Sequence, residues 1–140
     1  MAKAPQSPVF IDTSFFKAIL DEKDDFYKEA LGIWEKLRAE NASLLTSNYI
    51  LDEVFTLIRK RSGVAKVKEF RELVIQNAAS LKIIRVTAAD EANAWNWFLE
   101  AWRDLSFTDC VSFALMERVG LKRVATFDRH FSQAGFKVEK

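Results

Sequence analysis

Cysteine occurs once in this chain, at Cys110, and histidine once, at His130. A lone thiol builds no disulfide framework, which fits a reducing, cytoplasmic setting. One cysteine and one histidine also leave no ligand set for structural zinc. No Ser–His–Asp or Cys–His arrangement for nucleophilic catalysis is readable. Proline stops early: Pro5 and Pro8 are the only two. They mark residues 1–8 as a flexible leader ahead of a single domain over residues 9–140. Glycine is scarce, at four residues, and none forms a Walker-type phosphate loop. No apolar run approaches the length of a membrane span. Met1–Pro8 lacks the apolar core of a signal peptide.

What is present is a core. Hydrophobic residues make up 49% and aromatic residues 13% of 140 positions, enough to close a domain without covalent staples. Val9-Phe10-Ile11 reads as a buried strand ending at Asp12, and Thr13 and Ser14 offer cap chemistry to a helix through Leu20. After the charged 21–25 loop, Phe26 to Glu40 carries a helical stripe of Phe26, Ala30, Ile33, Trp34 and Leu37. A short strand at Leu44–Thr46 follows, then a helix from Asn48 to Arg61 closed by Gly63, and another from Val64 to Asn77. Leu81–Val86 reads as a strand. A capping-box start at Thr87–Asp90 opens a helix to about Trp102. Ser106 opens a helix to Val119, and Arg123–Phe127 reads as a strand ending at Asp128. Phe136–Glu139 is a last edge strand. This alternation predicts an α/β fold of three layers, a mostly parallel central sheet flanked by helices.

Ligand sites in such sheets lie beyond the carboxyl ends of the strands. Asp12 and Asp128 each follow a strand, where an aspartate is otherwise a common turn or cap residue. At about 100° per residue, Glu53 falls on the edge of the apolar arc of its helix, whereas Asp52 faces solvent. Asp109 lies in the first turn of a helix that is apolar almost all round and therefore central. Its placement three residues after Ser106 also makes it a capping residue. Four clustered carboxylates without a counter-charge would raise one another's pKa values, and a divalent cation removes that cost. Oxygen donors point to Mg²⁺ or Mn²⁺ and suit attack of an activated water on a phosphodiester.

Other features carry structural readings first. His130, as a lone histidine, is read as structural or exposed, and Cys110 as a small core residue. Trp95, Trp97 and Trp102 invite base stacking but are assigned to packing, with a dimer interface as their alternative use. Net charge is only +1, yet Leu57–Arg85 holds eight basic residues against two acids. This stretch is a solvated helix surface or an anion-binding face.

Four segments carry a resemblance: Phe10-Ile-Asp-Thr-Ser14, Ser47-Asn-Tyr-Ile-Leu-Asp-Glu-Val54, Ser106-Phe-Thr-Asp-Cys-Val-Ser-Phe-Ala114 and Thr126-Phe-Asp-Arg-His-Phe131. In this order the chain resembles the PIN-domain ribonucleases, in particular the VapC-type toxins of bacterial toxin–antitoxin pairs. The resemblance implies a Mg²⁺- or Mn²⁺-dependent endoribonuclease, often a homodimer, inhibited by a small antitoxin. It implies Asp12 and Asp109 as the main metal ligands, Glu53 as the helix glutamate, and Asp128 as a fourth acid that binds metal less directly, with Glu53 and Asp128 completing the metal pocket and positioning water or a second ion. Thr13, Ser14 and Thr126 would be hydroxyls that orient carboxylates or water. Basic residues among Arg59–Arg71 would meet RNA phosphates. Asp104 and the 21–25 loop lie outside the pattern. Two rivals remain at this point. One is a silent domain of the same fold that binds RNA or protein. The other is a receiver-type phosphoacceptor, which expects an acidic pair at the first strand end where this chain has only Asp12.

Overall fold

A computed structural model describes residues 7–140. The proposed leader lies almost wholly outside the described residues. Within them the chain is already anchored at Ser7, whose carbonyl accepts a hydrogen bond from Arg123 Nη1 at 2.8 Å.

Among the described residues twelve elements follow in order: β1 (Val9–Ile11), α1 (Thr13–Leu20), α2 (Tyr27–Ala39), β2 (Leu44–Ser47), α3 (Asn48–Ser62) and α4 (Val64–Gln76); then β3 (Leu81–Ile84), α5 (Ala88–Phe98), α6 (Phe107–Val119), β4 (Arg123–Ala125), α7 (Arg129–Gln133) and β5 (Lys137–Val138). The strands form one sheet in the order β3-β2-β1-β4-β5, and every pairing is parallel. Parallel crossovers are right-handed. Steps from β1 through β2 to β3 therefore lay α1–α4 over one face. The jump from β3 back to β4 reverses direction and lays α5 and α6 over the other. The reversal happens at β1 and β4, which is where a doubly wound sheet opens a crevice at its carboxyl edge.

Local chemistry sets the boundaries. Asp12, Ser47, Ser106 and Asp128 each occupy an extended N-cap position and accept a backbone N–H two or three residues on. Thr87 and Asp90 complete a reciprocal capping box on α5. Gly63 (φ 85°) and Gly120 (φ 74°) end α3 and α6 in conformations that disfavour other residues. Helix α6 is enclosed: Cys110, Val111, Phe113, Leu115 and Met116 are fully buried. Phe113 meets Phe131 edge-on at 4.9 Å between ring centroids.

The structure departs from the sequence expectation in four places. Strand β3 ends at Ile84 because the Val86 N–H turns to the Asn48 side chain, at 2.8 Å, and leaves the ladder. Strand β4 ends at Ala125, opposite Ile11, because its partner β1 stops there and Asp12 turns into α1. Helix α5 stops at Phe98, not Trp102. Residues 99–106 form an irregular connection through Asp104, a left-handed residue at φ 60°, a conformation aspartate tolerates better than most. Helix α7 was not anticipated, because five residues are too few to show a period.

Candidate metal centre

The carboxyl ends of β1 and β4 are tied by a network of hydroxyls. Thr126 Oγ1 donates to Asp12 Oδ2 at 2.8 Å, and Ser14 Oγ donates to the same oxygen at 2.9 Å. The two hydroxyls lie 3.1 Å apart. Ser14 Oγ in turn accepts the Phe127 N–H, and Thr126 Oγ1 the Asp128 N–H. Adjacent strands thus fix one carboxylate with a single oxygen engaged by hydroxyls. Thr13 behaves differently: its buried hydroxyl has no partner among the described residues.

Asp109 enters from the N-terminus of α6. Its backbone N–H is satisfied by Ser106 Oγ at 3.0 Å, so its side chain is free to point into the crevice. Asp128, half-buried, caps α7 by accepting the His130 N–H at 2.9 Å. The short helix brings the His130 ring back over the cluster. His130 Nδ1 lies 2.8 Å from Asp128 Oδ1 and 3.9 Å from Asp109 Oδ2. Its other nitrogen, Nε2, is 2.7 Å from the Arg103 carbonyl. The Trp102 ring lies parallel to the imidazole.

Burial and mutual repulsion dominate the electrostatics. Burial, reinforced by the charges of Asp12 and Asp128, pushes the Asp109 carboxyl up to about 9. Burial pushes Asp12 up to about 6, against the opposing hydroxyl bonds of Thr126 and Ser14. Among the described residues no lysine or arginine pairs with Asp12, Asp109 or Asp128. Such a set calls for positive charge, and the donor atoms of Asp109, Asp128 and His130 all lie within 4.8 Å of one another. That spacing and an oxygen-rich donor set fit one divalent ion. Burial and the adjacent Asp109 charge raise the Cys110 thiol to about 11, which leaves it an inert core residue.

Glu53 stands apart from this group. It is half-buried, while Asp52 is exposed. It borders a shallow concavity with Thr56, Lys60 and Thr108, the residue before Asp109. Ser14 and Phe127 border a second hollow with Lys17, Lys23, Asp24 and Arg61. There Lys17 Nζ pairs with Asp24 at 2.5 Å, and Phe26 stacks on Phe127 with centroids 4.5 Å apart. The acidic 21–25 loop therefore lines a wall of the crevice. Asp104 is exposed and serves the turn before α6.

His130 takes the structural of its two sequence readings, in a place the sequence did not show. It is buried beside two acids, structural in its burial but turned toward the cluster. The available signal was Asp128-x-His130 directly after a strand, since an aspartate cap folds the second following residue back toward itself. Trp97 packs on Phe113 and donates Nε1–H to Glu117, and Trp102 covers His130, so both act in packing. Trp95 is 50% exposed.

A family model described as the PIN domain matches residues 9–137. The chain belongs to the PIN-domain family. Among curated relatives, the 23S rRNA-specific endonuclease VapC20 of Mycobacterium tuberculosis is 33% identical over 129 residues, 91% of this chain and 95% of that protein. The crystal structure of VapC20, described as a sarcin–ricin loop cleaving toxin, superposes with a TM-score of 0.77 over 91% of this chain and 95% of its own, at 32% identity. The VapBC2 complex of Rickettsia felis, bound to a promoter DNA fragment, shares the fold at a TM-score of 0.67 and 15% identity, over 94% of this chain and 96% of its own. In this PIN domain, the four segments of the resemblance fall on the β1 end with α1, the start of α3, the start of α6, and the β4 end with α7.

Proposed function

We infer that this PIN domain is an endoribonuclease of the VapC type that hydrolyses RNA phosphodiesters at the Asp12–Asp109–Asp128 cluster with Mg²⁺ or Mn²⁺. It acts as the toxin of a pair and is held inactive by a separate antitoxin. One observation carries the reading: three acids gathered at the topological switch point with, among the described residues, no lysine or arginine paired to them. A bound divalent ion supplies an acidified water and positive charge against the scissile phosphate. The protein supplies the rest. Thr126 and Ser14 hold Asp12 in one orientation. Asp109 and Asp128 present oxygens from α6 and α7. Glu53, on the rim, faces the approach of the strand to be cut. Lys60 and Arg61, exposed residues that line one hollow each, steer the RNA backbone by phosphate contact. The similarity to VapC20 makes 23S ribosomal RNA the first substrate to test.

The exposed patch of Trp95, Phe98 and Leu99, with Phe107 against both aromatic rings, is the surface proposed for homodimer formation, since solvent-facing aromatics of this kind favour interfaces. None of the helices among the described residues is long and apolar enough to cross a membrane, consistent with the proposed cytoplasmic site of action.

The test is incubation of ribosomal and messenger RNA with the protein and Mn²⁺, followed by mapping of new ends. Discrete cleavage that is lost with chelator and in Asp12→Asn supports the assignment. Cleavage that survives chelator, or equal cleavage by Asp12→Asn, refutes it.

A further inference from the structure

Among the described residues His130 Nδ1 is a buried polar atom with no hydrogen-bond partner, on a side chain only 5% exposed. Its surroundings restrict what it does. A carbonyl oxygen only accepts, so Nε2, 2.7 Å from the Arg103 carbonyl, carries the ring proton in the neutral imidazole. Nδ1 then presents a lone pair to the crevice. Two carboxylate oxygens already stand there, at 2.8 and 3.9 Å. Lone pair against carboxylate is repulsive, and the 2.8 Å contact to Asp128 is not aligned as a hydrogen bond. A cation held among the three donors offsets that repulsion. Two donors on one octahedral ion at about 2.1 Å stand roughly 3 Å apart when adjacent and about 4 Å when opposite. The observed spacings fall close to those values. Metal-bound histidines also characteristically donate their second ring N–H to a carbonyl or carboxylate, which is the role Arg103 fills here.

We propose that His130 is a direct nitrogen ligand, through Nδ1, of the metal ion held by Asp109 and Asp128, and that it biases the centre toward Mn²⁺ over Mg²⁺. The bias follows from donor chemistry. Imidazole suits transition metals, while Mg²⁺ prefers oxygen. The proposal rests on the metal-centre reading above, and the readouts separate the two.

Mn²⁺ and Mg²⁺ binding is measured by calorimetry on the parent, His130→Gln and Asp109→Asn, with circular dichroism to establish that each variant is folded. Pulsed electron paramagnetic resonance of the Mn²⁺-loaded parent reads nitrogen coordination without any variant. The expected results are a ¹⁴N modulation in the parent that His130→Gln loses, and a Mn²⁺ affinity about tenfold or more lower in that variant, with a smaller loss for Mg²⁺. Mn²⁺ uptake that needs Asp109 but shows no ¹⁴N modulation, or equal affinities in parent and His130→Gln, overturns the ligand assignment and leaves the metal centre standing. No Asp109-dependent uptake in the parent overturns the metal centre itself.

Discussion

Replacing Asp109 by asparagine is expected to stabilise the metal-free protein, and by more as the pH rises. In the fold its carboxyl sits at about 9 against an ordinary 3.8, because burial and the neighbouring Asp12 and Asp128 charges oppose ionisation. In the unfolded chain it ionises near the ordinary value. Between these limits the folded state binds one more proton than the unfolded state. Stability therefore falls as the pH rises, by about 1.4 kcal/mol per pH unit for this one group. Asp12, raised to about 6, adds a similar slope between about pH 4 and pH 6 and little beyond. The window from pH 6 to pH 8 thus isolates Asp109. Across it the parent should lose about 2.7 kcal/mol relative to Asp109→Asn. This difference is limited by proton stoichiometry and not by the size of the pKa shift, as long as the folded value stays above 8. Urea unfolding at several pH values, in chelator, measures it. Mn²⁺ at about one hundred times its Kd should return about 2.7 kcal/mol to the parent, and much less to the variant. Parallel stability curves for parent and variant from pH 6 to pH 8 would refute the placement of Asp109 in an uncompensated acidic cluster.

Three further outcomes follow from the geometry. Ser14→Ala combined with Thr126→Ala removes both hydroxyls from Asp12 and should lower RNA cleavage roughly 10- to 100-fold with little change in the circular dichroism spectrum. Arg118 holds the buried Asp90 through two bonds, at 2.7 and 2.9 Å. Arg118→Met should cost about 2–3 kcal/mol in urea unfolding, below the range for fully buried pairs because the guanidinium is 38% exposed. Lys60→Ala with Arg61→Ala should weaken RNA binding and flatten its dependence on salt, by about one to two phosphate contacts in the slope of log Kd against log salt concentration. An unchanged slope would remove these two residues from the RNA path.

The helices and strands were legible where their signals are local. Ser47, Thr87 and Ser106 announce helices by cap chemistry, Gly63 and Gly120 end them, and the alternation of strand and helix gives parallel pairing. Asp12 stood out because it follows an apolar strand directly, and Asp109 because the helix behind it is apolar almost all round. What was not legible depends on tertiary contacts. The Asn48 side chain takes the Val86 N–H and shortens β3. The Arg103 carbonyl and the Trp102 ring commit the 99–106 connection to His130, which draws it out of the helix that its composition suggests. His130 was hidden by being the only histidine in the chain. Its neighbours are carboxylates brought in from the cap of α7 and from α6, the latter of which no sequence spacing places beside it. Glu53 shows the limit of helical geometry. Its angle separates it from Asp52, and the structure leaves it half-buried on the rim beside Lys60 and Thr108.

The central claim is that the acids cut RNA, and Asp109→Asn tests it most directly because the same substitution is expected to make the fold more stable. Parent and variant, both shown to be folded, are incubated with 23S ribosomal RNA and Mn²⁺, and the product ends are mapped. Discrete cleavage by the parent, with none by the more stable variant and none in chelator, is the predicted result. Cleavage by folded Asp109→Asn at the parental rate would contradict it.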